Sequence, residues 1–273
     1  MTEEEFTRVV RYVERKAGID LEHKKTLVEG RIGSYVSKAD YLSVGDYMNA
    51  VEGDYTGREF ENLINMLTTN HTYFMREAEH FEFFKKVVLP ELKQREMQSR
   101  SLYIWCGASS TGEEPYTLAM LIHDFFGFEI KEWDTQILAT DISTQVLRTA
   151  IKGIYMESQL RQISDRWKHM YFTQIDKDSF QISQTIRQEV LYRCFNLMSP
   201  LPFKKPLHVI FLRNVMIYFD KETKQRLLER VVEALAPGGY LFIGTTEAID
   251  RKEIPLDYVR PSVYQKQRQE KEK

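Results

Sequence analysis

Hydrophobic positions change their spacing twice along this chain of 273 residues. Over residues 2–88 they recur at every third or fourth position, the period that lines one face of a helix. Helix starts are marked: Thr2…Glu5 and Thr56…Glu59 have capping-box spacing, and Asp20 and Ser43 stand as single caps. This predicts a small all-α helical domain. From about residue 100, short apolar runs alternate with amphipathic stretches, the signature of a parallel sheet with helical crossovers. The pattern puts strands at 102–106, 136–140, 209–212 and 240–244. It puts helices at 114–126, 144–151 and 221–236, the last capped by Asp220 and stopped by Pro237-Gly238-Gly239. The stretch 154–195 breaks the rhythm with a polar helical portion at 158–170 and alternating segments around 180–186 and 189–195. We read it as an insertion carrying a small antiparallel sheet on an α/β domain, and the tail 265–273 as frayed.

Composition narrows the setting. With 42% hydrophobic and 29% charged residues and a net charge of −2, the chain reads as an ordinary globular protein with no global pull towards nucleic acid. No uninterrupted apolar run exceeds five residues, and the start Met1-Thr2-Glu3-Glu4-Glu5 is acidic where a signal peptide is basic. Neither a membrane span nor secretion is expected. Cys106 and Cys194 fall in expected core strands, which suits a reduced cytoplasmic location and leaves the sequon Asn70-His71-Thr72 without consequence. Charge is uneven in the helical part: residues 8–38 hold eight basic and four acidic side chains. Lys24, Lys25, Arg31 and Lys38 form either a basic face for an acidic partner or a solvated helix surface.

Four clusters can carry chemistry. The first, Cys106-Gly107-Ala108-Ser109-Ser110-Thr111-Gly112-Glu113-Glu114-Pro115-Tyr116, joins a strand to a helix. Such joints bind phosphate through bare backbone N–H groups and the positive helix end. Here Glu113 and Glu114 occupy that end and would repel a phosphate, so the loop is either a plain tight turn or the seat of a phosphate-free cofactor with a positive end. S-adenosylmethionine, with an ammonium and a sulfonium, fits the second. Asp141, ending the second strand, either binds ribose hydroxyls or belongs to a plain helix start at which it or Ser143 is the cap. Thr69 to Glu77 is a helix–helix turn or the lining of a cleft, and Arg213-Asn214-Val215-Met216-Ile217-Tyr218-Phe219 follows an apolar strand where ligands bind open sheets. The six histidines show no zinc spacing, and no G-x-S-x-G elbow or Walker loop occurs.

In this order the segments resemble the CheR-type chemotaxis receptor glutamate methyltransferases, over almost the whole chain. The resemblance rests on Thr69 to Glu77 for T-N-x-T-x-F-x-R-E, Gly107 to Tyr116 for A-x-S-x-G-E-E-P-Y, Thr140-Asp141-Ile142, Phe195-Asn196-Leu197, and Arg213 to Phe219 for R-N-V-x-I-Y-F. It implies a Rossmann-like methyltransferase sheet at 76–273, with the inserted subdomain at about 154–195, behind a receptor-recognising helical domain at 1–75. It implies S-adenosylmethionine as cofactor, S-adenosylhomocysteine as product and no metal. Asn70, Thr72, Arg76, Glu114, Asp141, Asn196, Leu197, Arg213 and Asn214 would contact or surround the cofactor, with Arg76 and Tyr218 nearest the transferred methyl. Whether Glu113 or Glu114 touches the ligand stays open.

The resemblance further implies a cytoplasmic enzyme that meets membrane-bound chemoreceptors without inserting in the bilayer. Its helical domain would dock a receptor helix through Lys25, Arg31 and Lys38. Members that tether to a receptor-tail pentapeptide carry a glycine-containing loop in the inserted sheet, but no glycine lies between Gly153 and Gly238, which points to the untethered type. Other functions compatible with the residues are methylation of another protein or a small acid, and a non-catalytic S-adenosylmethionine sensor. A nicotinamide dehydrogenase is disfavoured by the acidic loop.

Overall fold

The computed structural model describes residues 1–250 and 253–268. Four helices open the chain: α1 (Glu3–Ala17), α2 (Lys25–Lys38), α3 (Val44–Gly53) and α4 (Arg58–Leu67). Thr2 and Glu5 form the expected capping box and Ser43 caps α3. The other two starts differ. Gly57, at φ +77°, precedes α4, and the Asp54 carboxylate receives the N–H groups of Thr56 and Glu59 in place of a Thr56 box. Asp20 accepts from Glu22 N–H within its own turn, and α2 begins five residues later without a side-chain cap.

An irregular segment leads to α5 (Ala78–Phe83), a π turn (Phe84–Val88) and α6 (Leu89–Arg95). The sheet domain then runs β1 (Ile104–Gly107), α7 (Glu113–Phe126), β2 (Ile137–Asp141), α8 (Thr144–Lys152), β3 (Ile154–Met156), α9 (Asp165–Tyr171), β4 (Phe172–Gln174), β5 (Ser179–Ile182), α10 (Gln184–Gln188), β6 (Val190–Cys194), β7 (Leu207–Leu212), α11 (Lys221–Ala234), β8 (Leu235–Ile243), β9 (Leu256–Arg260) and β10 (Val263–Lys266). Seven strands lie in the order β6-β2-β1-β7-β8-β10-β9, and β3-β5-β4 form a separate antiparallel sheet. Strands β6 to β8 pair in parallel; β10 runs antiparallel between β8 and β9.

The structure corrects four sequence expectations. Residues 190–194 pair with β2 at the edge of the main sheet, outside the small one. Val190 and Tyr192 are buried while Leu191 is half-buried and Arg193 exposed, so this alternation reads the same in either sheet. Helix α11 stops at Ala234, and Pro237-Gly238-Gly239 lies inside β8, opposite a register shift in β7. A Cβ on Gly239 would meet the carbonyl oxygens of Ala236 and Leu207 at 2.8 and 3.0 Å, so this strand needs glycine for backbone approach rather than for a stop. Cys106 is buried as expected, but Cys194, at the end of edge strand β6, is exposed. Gln265 and Lys266, expected to fray, belong to β10, while the tail 269–273 lies outside the described residues.

Successive β1 side chains enter opposite cores. Trp105 joins the layer shared by α11 and the four-helix bundle, whereas Ile104 and Cys106 join the layer under α5 to α7. The bundle is therefore continuous with one face of the sheet. Polar seams tie the two together: Ile19 bridges Phe219, Asp20 N–H donates to Tyr218 O at 2.8 Å, and Ser143 Oγ donates to Asn65 Oδ1 at 2.6 Å. These seams close a cleft over the carboxyl ends of β1 and β7, where strand order reverses and open sheets bind ligands.

Candidate active site

The first turn after β1 carries three residues with positive φ, Ala108 (56°), Ser110 (50°) and Gly112 (96°). Only glycine suits the last position, since a Cβ there would come within 2.6 Å of Tyr192 Oη and 2.9 Å of Ala150 Cβ. The turn aims Ser110 N–H at Asp141 Oδ2 (2.8 Å), while Ser143 N–H donates to Oδ1 (2.9 Å). Ser143 is the N-cap of α8, so Asp141 is free of that duty and lines the cleft. Burial pushes its carboxyl above the usual range, and the two N–H donors offset only part of this.

Adjacent residues on a helix point about 100° apart, so only one of Glu113 and Glu114 can face the cleft. Glu114 lines it. Glu113 is 1% exposed and turns towards the small sheet, where Thr111 Oγ1 donates to it at 2.6 Å and burial pushes its carboxyl up. Glu114 accepts from Cys106 Sγ at 2.9 Å and from Arg213. Arg213 is 5% exposed and also pairs with Glu77 Oε2 at 3.0 Å, while its guanidinium carbon stands 5.2 Å from the Phe81 ring. Burial disfavours this charge, but the two carboxylates outweigh it and raise the guanidinium pKa further. Burial likewise opposes ionisation of Glu77, and Arg213 and Asn214 reverse the balance and hold it low.

The segment between α4 and α5 forms another wall. Asn70, Thr72 and Arg76 line the cleft, and Arg76 Nη1 donates to His71 O at 2.7 Å. Tyr218, in the turn after β7, is half-buried; its hydroxyl donates to Thr69 O at 3.2 Å and Lys24 Nζ lies 4.9 Å from its ring. Asn196 and Leu197 complete the rim, with Asn196 Nδ2 already donating to Lys16 O at 2.6 Å. Asn214, at φ +57°, donates through Nδ2 to Glu77 Oε1 at 3.1 Å. All ten expected site residues thus line one cleft, of about 1290 Å³ including its open mouth.

Sequence reading gave no role to Glu77, Glu247 or His80. Glu77 stood in a quoted segment beside Arg76, but its pairing with Arg213 spans 136 positions and leaves no local mark. Glu247 is buried and accepts N–H bonds from Asn214, Met216 and Gly244, which locks the turn after β7 to the end of β8. The basic residues at 24–38 face different ways. Lys24 lines the cleft, Lys25 pairs with Glu3, Arg31 turns to backbone carbonyls at 66 and 68, and Lys38 is exposed.

His80 supplies a pH dependence. It is 2% exposed, 3.4 Å from Glu77, and depressed to about 4 by burial and then by the Arg213 charge. The unfolded chain, with the ordinary value near 6.5, binds the proton first as pH falls. Stability from the neutral ring is therefore complete above pH 6.5 and is lost as pH falls towards 4, on the order of 3 kcal/mol in all. Urea unfolding of wild type and His80→Gln at pH 7 and pH 4.5 is expected to show a smaller pH loss in the variant. Equal losses would defeat the assignment; Glu113, Asp141 and Glu247 shift with the opposite sign in both proteins and cancel.

The cleft suits S-adenosylmethionine by the chemistry of its donors. It offers a hydrogen-bonded carboxylate at Asp141 for hydroxyls and a carboxylate at the helix start where a phosphate would need bare N–H groups. Among the described residues no group of acids, histidines and cysteines could hold a metal, and no helix is long and apolar enough to cross a membrane.

Comparison with known proteins agrees with this geometry. Residues 70–264 match the family model described as CheR methyltransferase, SAM binding domain, and residues 4–68 match CheR methyltransferase, all-alpha domain. A chemotaxis protein methyltransferase of Borreliella burgdorferi is 36% identical over 97% of this chain and 95% of its own. Those of Escherichia coli (33% identical; 97% and 91%) and Listeria monocytogenes (34%; 93% and 91%) are similar over comparable lengths. With both family models matched in order along almost its whole length, the chain belongs to the CheR methyltransferase family.

Proposed function

We propose that this protein methylates glutamate side chains of chemoreceptors, using S-adenosylmethionine and leaving S-adenosylhomocysteine and glutamyl methyl esters. The observation that carries the reading is one cleft holding acids for a cationic cofactor, Glu114 and Asp141, together with Arg76 for an anionic substrate. Bound cofactor supplies an electrophilic methyl on a sulfonium. A glutamate, ionised at neutral pH because its ordinary pKa is near 4.3, needs no general base. The protein's work is to strip water from that carboxylate and aim it, an orientation effect worth roughly 7–11 kcal/mol in favourable cases. In this reading Arg76 grips the carboxylate and Tyr218 donates to it or lines the transfer path. Asn70, Thr72, Asn196, Leu197, Arg213 and Asn214 shape the cofactor's seat.

We divide the chain into a receptor-recognising domain, 1–75, and a methyltransferase domain, 76–273. It works in the cytoplasm, recruited to membrane-bound receptor arrays, and does so without a pentapeptide tether, on the strength of the glycine-free stretch between Gly153 and Gly238. With Lys25 neutralised by Glu3 and Arg31 turned inward, Lys38 is the part of the docking face that an acidic receptor helix would feel most. Lys38→Glu is expected to raise the receptor KM about three- to fivefold and to flatten its dependence on salt. An unchanged KM makes this helix surface merely solvated.

The deciding experiment is transfer of labelled methyl to a chemoreceptor cytoplasmic fragment, followed by release of methanol in alkali. Base-stable label would point to another acceptor, and cofactor binding without transfer to a sensor.

A further inference from the structure

Four consecutive backbone carbonyls between the helical bundle and α5 are each held by a side chain, three from other parts of the protein and one, Arg76, from farther along the same segment. Thr68 O accepts from Arg31 of α2 at 2.9 Å, and the same nitrogen reaches Met66 O at 3.0 Å. Thr69 O accepts from Tyr218 of the turn after β7 at 3.2 Å. Asn70 O accepts from Ser110 of the turn after β1 at 3.0 Å, and His71 O from Arg76 at 2.7 Å. Arg31 adds a contact from Nη2 to Thr69 Oγ1 at 3.4 Å. The segment is neither helix nor strand, so these side chains stand in for the hydrogen bonds that secondary structure would supply.

Two of the four donors, Arg76 and Tyr218, are the groups assigned to the substrate carboxylate and the methyl path. They are positioned by the same strap that Arg31 anchors from outside the sheet domain. Consecutive Cα atoms are only about 3.8 Å apart and joined by planar peptides, so releasing Thr68 displaces the acceptors of Tyr218 and Ser110 next to it. A charged donor to two carbonyls is among the stronger neutralising contacts available to such a segment. An arginine that only met a receptor would have its fork directed outward.

We propose that residues 68–71 form a positioning strap for the methyl-transfer site and that Arg31 is its anchoring residue, acting through the strap on Tyr218 and Arg76 rather than by touching the receptor. The assignment rests on the proposed methyltransferase function for its kinetic readout, and S-adenosylhomocysteine affinity supplies a second readout that does not. A docking residue and a strap anchor move different constants. Loss of docking raises the receptor KM, alters its salt dependence and spares kcat; a loosened strap misplaces Tyr218 and Arg76 while the receptor still docks.

The test compares wild type, Arg31→Met and Arg31→Lys as full chains, by steady-state methylation of a receptor fragment at two salt concentrations and by calorimetric titration with S-adenosylhomocysteine. Arg31→Met is expected to lower kcat about tenfold or more, in line with the cost of roughly ångström misplacement. It is expected to weaken S-adenosylhomocysteine about threefold and to leave the receptor KM within about twofold, and Arg31→Lys, still a donor, to recover part of both losses. Raised KM with unchanged kcat and unchanged S-adenosylhomocysteine affinity overturns the proposal and returns Arg31 to the docking face. If Arg31→Met unfolds, Ser110→Ala, which frees Asn70 O from the opposite side, must lower kcat several-fold at constant receptor KM; unchanged kcat there overturns it too. If wild type forms no base-labile ester, the functional reading fails alone, and S-adenosylhomocysteine affinity in Arg31→Met still decides the strap.

Discussion

Arg213→Met is expected to destabilise the protein by about 3–5 kcal/mol, the usual cost of removing one partner from a buried ion cluster. Arg213 stands between Glu77 and Glu114 and is the cation that pairs with both. Without it the half-buried carboxylates of Glu77 and Glu114 lose the cation they share and repel one another. For a chain of this size the melting temperature should fall on the order of 10 °C. S-adenosylhomocysteine binding should fall with it, since Glu114 then loses the guanidinium that positions it. Urea unfolding gives the stability and calorimetry the affinity. Glu77→Gln added to Arg213→Met should recover part of the stability by removing one stranded charge, and a double-mutant cycle measures that coupling. A loss below about 1 kcal/mol would mean that solvent reaches the cluster and that Arg213 is not the keystone of the cleft.

The same cluster shows where the sequence stops speaking. The turn after β1 and the helix behind it follow local rules, so their position, the acidic helix start and Asp141 at the end of β2 were all legible. The capping box at Thr2 and Glu5 was legible for the same reason, because both partners lie three residues apart. Local spacing also misled: Thr56 and Glu59 have the same interval, but Asp54 offers a charged acceptor close by and takes both N–H groups. Which of Glu113 and Glu114 meets the cleft depended on the phase of α7 against its neighbours, where Tyr116 Oη donates to Ala150 O at 2.7 Å, rather than on the loop. The partnership of Arg213 with Glu77, and of Glu247 with the turn after β7, joins residues brought together only by strand order. Arg31 reads as a surface cation in any helical plot, and only the path of the chain after α4 turns it inward.

Arg76→Met is expected to lower kcat/KM for receptor by about 10²–10³, the range in which losing orientation of a reacting group falls. The partition of that loss follows from charge. Carboxylate and sulfonium approach as ions and leave as a neutral ester and thioether, so a cation bound to the carboxylate favours the ground state more than the transition state. Arg76 therefore contributes to the barrier only through geometry, and its electrostatic share appears in KM. Its guanidinium is fixed by one bond to His71 O, which leaves the rest of the planar fork for the substrate. Arg76→Lys keeps the charge and loses the plane. It should restore most of the KM and little of the kcat, ending about tenfold below wild type in kcat/KM. Neither variant should change S-adenosylhomocysteine affinity more than a few-fold, because Glu114, Asp141 and Arg213 remain in place. Full turnover in Arg76→Lys would show that charge alone suffices, and the orienting group would then have to be sought among other donors that line the cleft, Tyr218 and Lys24 first.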